Sequence, residues 1–277
     1  MVRCRQADPH RGRPEHARLR EHIDVLGLID LDDETLDAEL SRALHERPSY
    51  TGLLERILGH GAIRRRERTT ERRIVGSGIK VRKTLETFDW ALQPGLARAA
   101  IEELAGLGFV HRKQDLLITG KSGTGKSHIL TAIAIRACQA GLAVRFARFA
   151  DVLAELHAGL ADGSYERRLR RWCVADFVVL DDVGLGQVPP QPDAPTAAHM
   201  LFNLIERRHQ CGATAITSNI KLSAWGKYLG DATVTAAVLD RLAMTAIRLD
   251  IDGPSYRQHL AHQRAELSAS DSVPDLE

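Results

Sequence analysis

Eight consecutive residues, Gly120, Lys121, Ser122, Gly123, Thr124, Gly125, Lys126 and Ser127, satisfy G-x-x-x-x-G-K-[ST] at every fixed position. Glycines at those places let successive backbone N–H groups turn inward around an anion, and a helix opening behind them adds its positive end. Lys126 can then reach the outer phosphates of a nucleotide, and the Ser127 hydroxyl can coordinate Mg²⁺. The run, with His128 beside it, is the candidate nucleotide-binding loop, and its chemistry is phosphate binding.

A phosphate loop needs a second acid at the metal. Phe177-Val178-Val179-Leu180-Asp181-Asp182 supplies two carboxylates at the end of an aliphatic run. Asp181 is the candidate Mg²⁺ ligand with Ser127, and Asp182 the group that orients or deprotonates an attacking water. Asn219 closes ATAITSN, where an amide would sit near the terminal phosphate and that water. Arg241, in Leu239-Asp240-Arg241-Leu242, lies on a helical pattern and could stabilise transition-state charge on a neighbouring subunit's phosphate. The candidate catalytic set is therefore Lys126, Asp181, Asp182, Asn219 and Arg241.

These residues need a sheet to bring them to one edge. Short apolar runs at Leu116–Thr119, Val144–Phe149, Phe177–Leu180, Ala213–Thr217 and Ala246–Ile251 read as strands. Helical patterns at Lys126–Ala140, Asp151–Leu160, Ala197–His209 and Thr233–Ala243 separate them, and a proline-rich loop spans Pro189–Pro195. Strand and helix alternation predicts an α/β fold with a five-stranded parallel sheet, whose ligands bind at the carboxyl edge. Before it, the sequence predicts a small all-α domain. One helix opens at Pro14 with Leu19, Ile23 and Leu26 on a face and closes near Gly27. A second follows Asp32 and Asp33 with Leu36, Leu40 and Leu44, and a third carries Leu53, Leu54, Ile57 and Leu58 and stops near Gly59. An arginine-rich run then extends to a break at Gly76 and Gly78. The expected organisation is a flexible tail at 1–13, a helical domain at 14–82, the α/β domain at 83–260 and a disordered tail at 261–277.

Composition sets the class and the charge distribution suggests a partner. Of 277 residues, 44% are hydrophobic and 27% charged, an ordinary globular balance that excludes a collagen-like or wholly disordered chain. No apolar run is long enough for a membrane span, and no apolar stretch follows the basic N-terminus as a secretory signal requires. Four cysteines without paired spacing point to a reduced, cytoplasmic protein with no cysteine metal site. Net charge is +2, yet the segment 56–83 carries ten basic residues against Glu67 and Glu71, so +8 sits there and −6 elsewhere. Arg64, Arg65, Arg66, Arg68, Arg72 and Arg73 are the candidate DNA contacts. Six phosphate contacts give a salt slope of about −5. The segment has no Phe, Tyr or Trp, so tracking of a duplex backbone with weak sequence preference is expected over base stacking. His259 and His262 stand three apart without an acid pair to complete a metal site.

The chain resembles the AAA+ branch of phosphate-loop NTPases that holds the IstB-like transposition helper ATPases and the DnaC-type helicase loaders, over about residues 14–260. Lys83–Trp90, Leu116–Ile129, Val144–Leu153, Phe177–Gly184, Leu201–Arg208, Thr217–Gly226, Leu239–Leu242 and Gly253–Arg257 carry the resemblance. The order TSN…WG, LDRL, SYR is closer to IstB than to the loaders. The resemblance implies an ATP- and Mg²⁺-dependent ATPase that forms a homo-oligomer on duplex DNA, helps select target DNA and stimulates the transposase of its insertion sequence, with ATP hydrolysis as the release switch. It would be cytoplasmic and nucleoid-associated. The alternative that the resemblance leaves is a replicative helicase loader. Asp182 is one methylene shorter than the glutamate usual at this place, which bears on hydrolysis more than on binding.

Overall fold

The computed structural model describes residues 14–26, 31–186 and 194–270. It divides into two compact units between Arg72 and Arg73. The expected tail at 1–13, the proline-rich loop up to residue 193 and residues 271–277 lie outside the described residues. The division falls before, not after, the stretch 73–82, because packing changes ahead of composition. Ile74 is already in the core of the second unit, and a Cβ at Gly78 would meet the carbonyl oxygen of Phe146 at 2.5 Å.

The first unit is helical. It holds α1 (Pro14–Val25), α2 (Asp33–Glu46) and most of α3 (Tyr50–Ser77). Asp32 caps α2 as the sequence suggests, its carboxylate accepting from the Thr35 amide at 2.8 Å. Ile23, Leu31, Leu36 and Ile57 form the core, with Leu40 and Leu53 at its margin. The same faces leave Leu26, Leu44, Leu54 and Leu58 exposed. Glu39 is 3% exposed and is surrounded by Arg42, Arg56 and His60 at 3.0–3.5 Å.

The expected stop near Gly59 does not occur: α3 is one helix of 28 residues through Gly59, Gly61 and Gly76. An interior glycine costs about 1 kcal/mol relative to alanine, which weakens a helix without ending it. Packing of Leu53 and Ile57 on α2, and the Arg56–Glu46 pair at 2.7 Å, offset that cost. Gly78, at φ +91°, is where the helix has just ended.

The second unit runs through α4 (Arg98–Ala105), α5 (Gly108–His111), β1 (Leu116–Gly120), α6 (Lys126–Gln139), β2 (Val144–Arg148), α7 (Phe149–Ala161), α8 (Tyr165–Cys173) and β3 (Phe177–Val183). It continues with α9 (Ala197–Arg208), β4 (Ala213–Ser218), α10 (Trp225–Leu229), α11 (Ala232–Thr245), β5 (Ile247–Ile251) and α12 (Tyr256–Ser270). The five strands pair in parallel in the order β2-β3-β4-β1-β5. All five expected strands form. Side-chain alternation explains why the inner ones read as continuous apolar runs. Leu116, Ile118, Phe177 and Val179 enter the core under α6, while Leu117, Val178, Leu180 and Ile216 enter the opposite core with α7–α9.

At the amino edge of the sheet the buried polar groups are matched. Arg208, 1% exposed, donates to the carbonyls of Trp172, Cys173, Ala175 and Ala213 and to Thr214 Oγ1. Burial lowers its pKa to about 10. Asp115 accepts from the Thr214 amide at 2.8 Å and from Thr245 Oγ1 at 3.0 Å, pinning the starts of β4 and β5 beside β1.

The disordered tail expected from residue 261 is corrected as far as Ser270, since α12 continues to that point. Ala, Gln, Arg, Glu and Leu make up most of 261–270, and these are good helix formers. Among the described residues no helix is long and apolar enough to cross a membrane.

Candidate functional site

The phosphate loop joins the end of β1 to the start of α6, at the carboxyl edge of the central strands. Gly125 has φ +94°, and a Cβ there would lie 2.5 Å from the Phe88 ring. Gly123 has φ +86°, and a Cβ would collide with Ser255. The loop therefore follows a backbone path open to glycine and is closely covered on both sides. Thr124 is fully buried and donates to the Lys121 carbonyl at 3.0 Å. Lys126, 3% exposed, donates to the carbonyls of Gly120 and Lys121 at 2.7 and 2.6 Å. Burial lowers its pKa, the carboxylates of Asp182 and Asp181 oppose that shift, and the Arg257 charge adds to it. Lys121 itself is exposed, with its ammonium 3.6 Å from Asp252.

The two acids occupy an irregularity in β3. Leu180 is paired with Ile216 and Val183 with Ser218, so β3 carries one residue more than β4 between those pairs. Asp182 takes up the extra length at φ +61°, a conformation that Asp tolerates better than most residues. On a regular strand, consecutive side chains point to opposite faces; the bulge lets both carboxylates serve one site. Ser127 Oγ donates to Asp181 Oδ1 at 2.9 Å, and Thr217 Oγ1 donates to the same oxygen at 2.6 Å. The Asp182 amide donates back to Thr217 Oγ1 at 2.7 Å, and Asn219 Nδ2 donates to Asp182 Oδ1 at 2.9 Å. Burial raises the Asp181 pKa, partly countered by the Thr217 hydrogen bond, while the neighbouring Asp182 charge raises it further.

A cavity of about 410 Å³ lies over the loop and reaches Lys126, Asp182 and Asn219. Phe88, Leu92, Tyr256 and Leu260 give its apolar side. The Gly253–Arg257 stretch is fastened to the loop: the Tyr256 amide donates to the Gly123 carbonyl at 3.0 Å, and Gln93 Nε2 donates to the Pro254 carbonyl at 2.8 Å. That fastening sets the start of α12 against the loop and brings Arg257 to the cavity. His128 also lines it, but its Nε2 donates to the Thr84 carbonyl at 2.8 Å, so the ring ties the 84–88 segment to α6. Burial lowers its pKa.

The cradle fits a nucleotide. It offers a glycine loop in left-handed backbone, a buried ammonium, an aromatic and aliphatic wall, and a paired hydroxyl and carboxylate of the hard-oxygen type that Mg²⁺ takes. Ser127 and Asp181 are the residues that would hold that ion.

Sequence reasoning placed Gly120–Ser127, Asp181, Asp182 and Asn219 in one site, and the fold brings them together. Arg241 is elsewhere: on α11 it pairs with Glu206 of α9, outside the cavity. Among the arginines proposed for DNA, Arg65, Arg66, Arg72 and Arg73 are exposed and Arg68 is half-buried. Arg64 pairs with Asp32 and donates to Thr35 Oγ1 at 3.0 Å, at the start of α2. Thr217 was missed. The signals for it were its place two residues before Asn219 at the end of a buried strand and its position at the head of the TSN run.

Comparison with known proteins agrees with this geometry. The family model described as IstB-like ATP binding protein matches residues 24–264. The ATP-binding protein of insertion sequence IS5376 from Geobacillus stearothermophilus is 32% identical over 209 residues, covering 76% of this chain and 81% of that protein. The ATP-binding protein of insertion sequence IS21 from Pseudomonas aeruginosa is also 32% identical, over 222 residues, covering 80% and 82%. Among solved structures, AMPPCP-bound DnaA from Aquifex aeolicus superposes with a TM-score of 0.50 at 19% identity, covering 70% of this chain and 55% of that one. That likeness shows the fold alone, a parallel five-stranded sheet with flanking helices. With the phosphate loop, its acids and the family match in agreement, the chain belongs to the IstB-like ATP-binding family.

Proposed function

We propose that this protein is an ATP-hydrolysing helper of an insertion-sequence transposase, assembling on duplex DNA in its ATP-bound form and released by hydrolysis. The observation that carries the hydrolytic part is the hydrogen-bonded chain Ser127–Asp181–Thr217–Asp182–Asn219, which joins the loop, β3 and β4. Bound Mg-ATP supplies the phosphoanhydride whose terminal phosphoryl group passes to water. The loop amides and Lys126 hold its phosphates, and Ser127 with Asp181 holds the ion. Asp182 Oδ2, the oxygen not engaged by Asn219, takes the proton of the attacking water, and Asn219 keeps that carboxylate oriented. The Phe88, Leu92 and Tyr256 wall receives the base.

Arg241 is proposed to act in a neighbouring subunit, leaving Glu206 to reach that subunit's terminal phosphate. This makes the assembled state the active one. The basic part of α3, at Arg64–Arg73, is proposed to track DNA phosphates with weak sequence preference. The relatives are named as ATP-binding proteins of insertion sequences, which supports a transposase as partner and the cytoplasm, at the nucleoid, as the place of action.

Sedimentation of the purified chain on long duplex DNA of arbitrary sequence, with ATP, ADP or no nucleotide, tests the reading. Large complexes with ATP alone are expected. Their absence would overturn self-assembly and favour a loader that needs a helicase to organise it.

A further inference from the structure

A second groove, of about 500 Å³, lies in the α/β unit beside the sheet's β2 edge. It is lined by Lys80, Lys83, Arg145 and Arg148, and at its inner end by Asp181 and Arg257. Outside the catalytic pair its only acid is Asp151. Arg145 is half-buried, held with its guanidinium 5.5 Å from the centre of the Trp172 ring. Among the described residues its guanidinium makes no hydrogen bond or salt bridge, and the same holds for the side-chain charges of Arg148, Lys80 and Lys83. Burial and the nearby Arg171 charge disfavour the charged form of Arg145, and the Glu155 carboxylate favours it. A cation kept partly out of water without an acceptor is costly unless an anion completes it.

Charged side chains on an edge strand often only deter strand pairing. That explanation is weaker here, because the chain itself approaches the backbone of β2 where Gly78 meets the Phe146 carbonyl. Trp172 is 4% exposed and cannot stack on a base, so the groove suits a phosphate backbone rather than unstacked bases.

We propose that this groove is a second DNA-backbone site, in which Arg145 and Arg148, with Lys80 and Lys83 beside them, contact phosphates of duplex DNA. It rests on the DNA-binding reading above but concerns different residues. The groove is continuous with Ser127 and Asp181, so DNA held there borders the hydrolytic residues. Occupancy of the groove would then be felt at the ATP site.

The test is anisotropy of the full chain on a labelled duplex of arbitrary sequence across a salt series. It compares wild type, R145Q/R148Q, R145K/R148K, R64S/R65S/R66S and a charge-matched control, R112Q/K113Q. Arg112 and Lys113 are exposed just before β1, at the amino ends of the strands and away from the groove's lining. R145Q/R148Q is expected to lower the magnitude of the log–log salt slope by about 2. R145K/R148K, which keeps the charge but loses the planar group over Trp172, should restore most of that slope. The control should keep the wild-type slope. Binding of a fluorescent ATP analogue reports that each variant is folded. A slope unchanged in R145Q/R148Q overturns this proposal, even where R64S/R65S/R66S lowers it. Failure of the lysine variant to restore the slope also overturns it, because the effect would then come from lost packing. No binding by the wild type takes down the DNA-binding reading and this one together.

Discussion

Asn219, just past the end of β4, donates from Nδ2 to Asp182 Oδ1 across 2.9 Å, and Asp182 is the residue that bulges out of β3 at φ +61°. One hydrogen bond thus spans two neighbouring strands at the point where their register shifts. It holds a carboxylate in a backbone conformation that a regular strand would not supply, and it leaves Oδ2 for chemistry. Strain kept at such a place is tolerated when surrounding contacts fix it.

Asp182→Asn removes the base while keeping size and an acceptor for Asn219. Hydrolysis should fall about 100-fold or more, with nucleotide affinity within a few-fold of wild type. Asn219→Ala should give a smaller loss of the same kind. Single-turnover hydrolysis beside equilibrium nucleotide binding separates the two effects, and a parallel loss of affinity would argue against these roles.

Thr217→Val keeps the shape and deletes both the donor to Asp181 and the acceptor for the Asp182 amide. It should lower kcat at least about 10-fold with little change in KM and cost roughly 1–3 kcal/mol in stability. Thr217→Ser, which keeps the hydroxyl, should recover most of both. Steady-state kinetics and urea unfolding of the pair decide it.

Lys126→Ala removes a buried ammonium from the loop. Loss of roughly 3 kcal/mol of phosphate interaction corresponds to at least about 100-fold weaker nucleotide binding. ATP-dependent assembly on DNA should vanish with it, whereas the melting temperature without nucleotide should stay close to wild type. Assembly that survived in this variant would contradict the proposed use of ATP.

Asp115→Asn tests the amino edge of the sheet. Burial raises the Asp115 pKa from its ordinary value, although Thr214, Thr245, Arg208 and His209 all act to lower it. The folded protein therefore keeps this proton to higher pH than the unfolded chain. That contribution to stability is present below the ordinary carboxylate pKa and is lost as pH rises through the raised value. Asparagine can still accept from the Thr214 amide and has no proton to lose. Urea unfolding of both proteins between about pH 4 and pH 7 should show the balance moving toward the variant as pH rises.

What the sequence determined by itself was local. The five strands announced themselves because alternate residues of each inner strand enter apolar cores on both faces, as Leu116 and Leu117 do. The phosphate loop was legible because glycine types at fixed spacing are a requirement of backbone geometry within one turn. Packing decided the rest. Gly59 looked like a helix end and is helix interior, because α2 supports α3 from outside that stretch. Arg64 was read only as a DNA contact, and its pairing with Asp32, 32 residues earlier in the chain, had no local signal. The groove at Arg145 and Arg148 could not be read as a unit, since Lys80 and Lys83 belong to the basic run 56–83 while Arg145 and Arg148 come from β2. Likewise Asp181 and Asp182 could be read as an acidic pair, but only pairing with β4 produces the bulge that turns both to one site. Side-chain type and spacing report what a residue does to its own turn or strand. Which distant group it meets depends on register and layer packing, and these exist only in the folded chain.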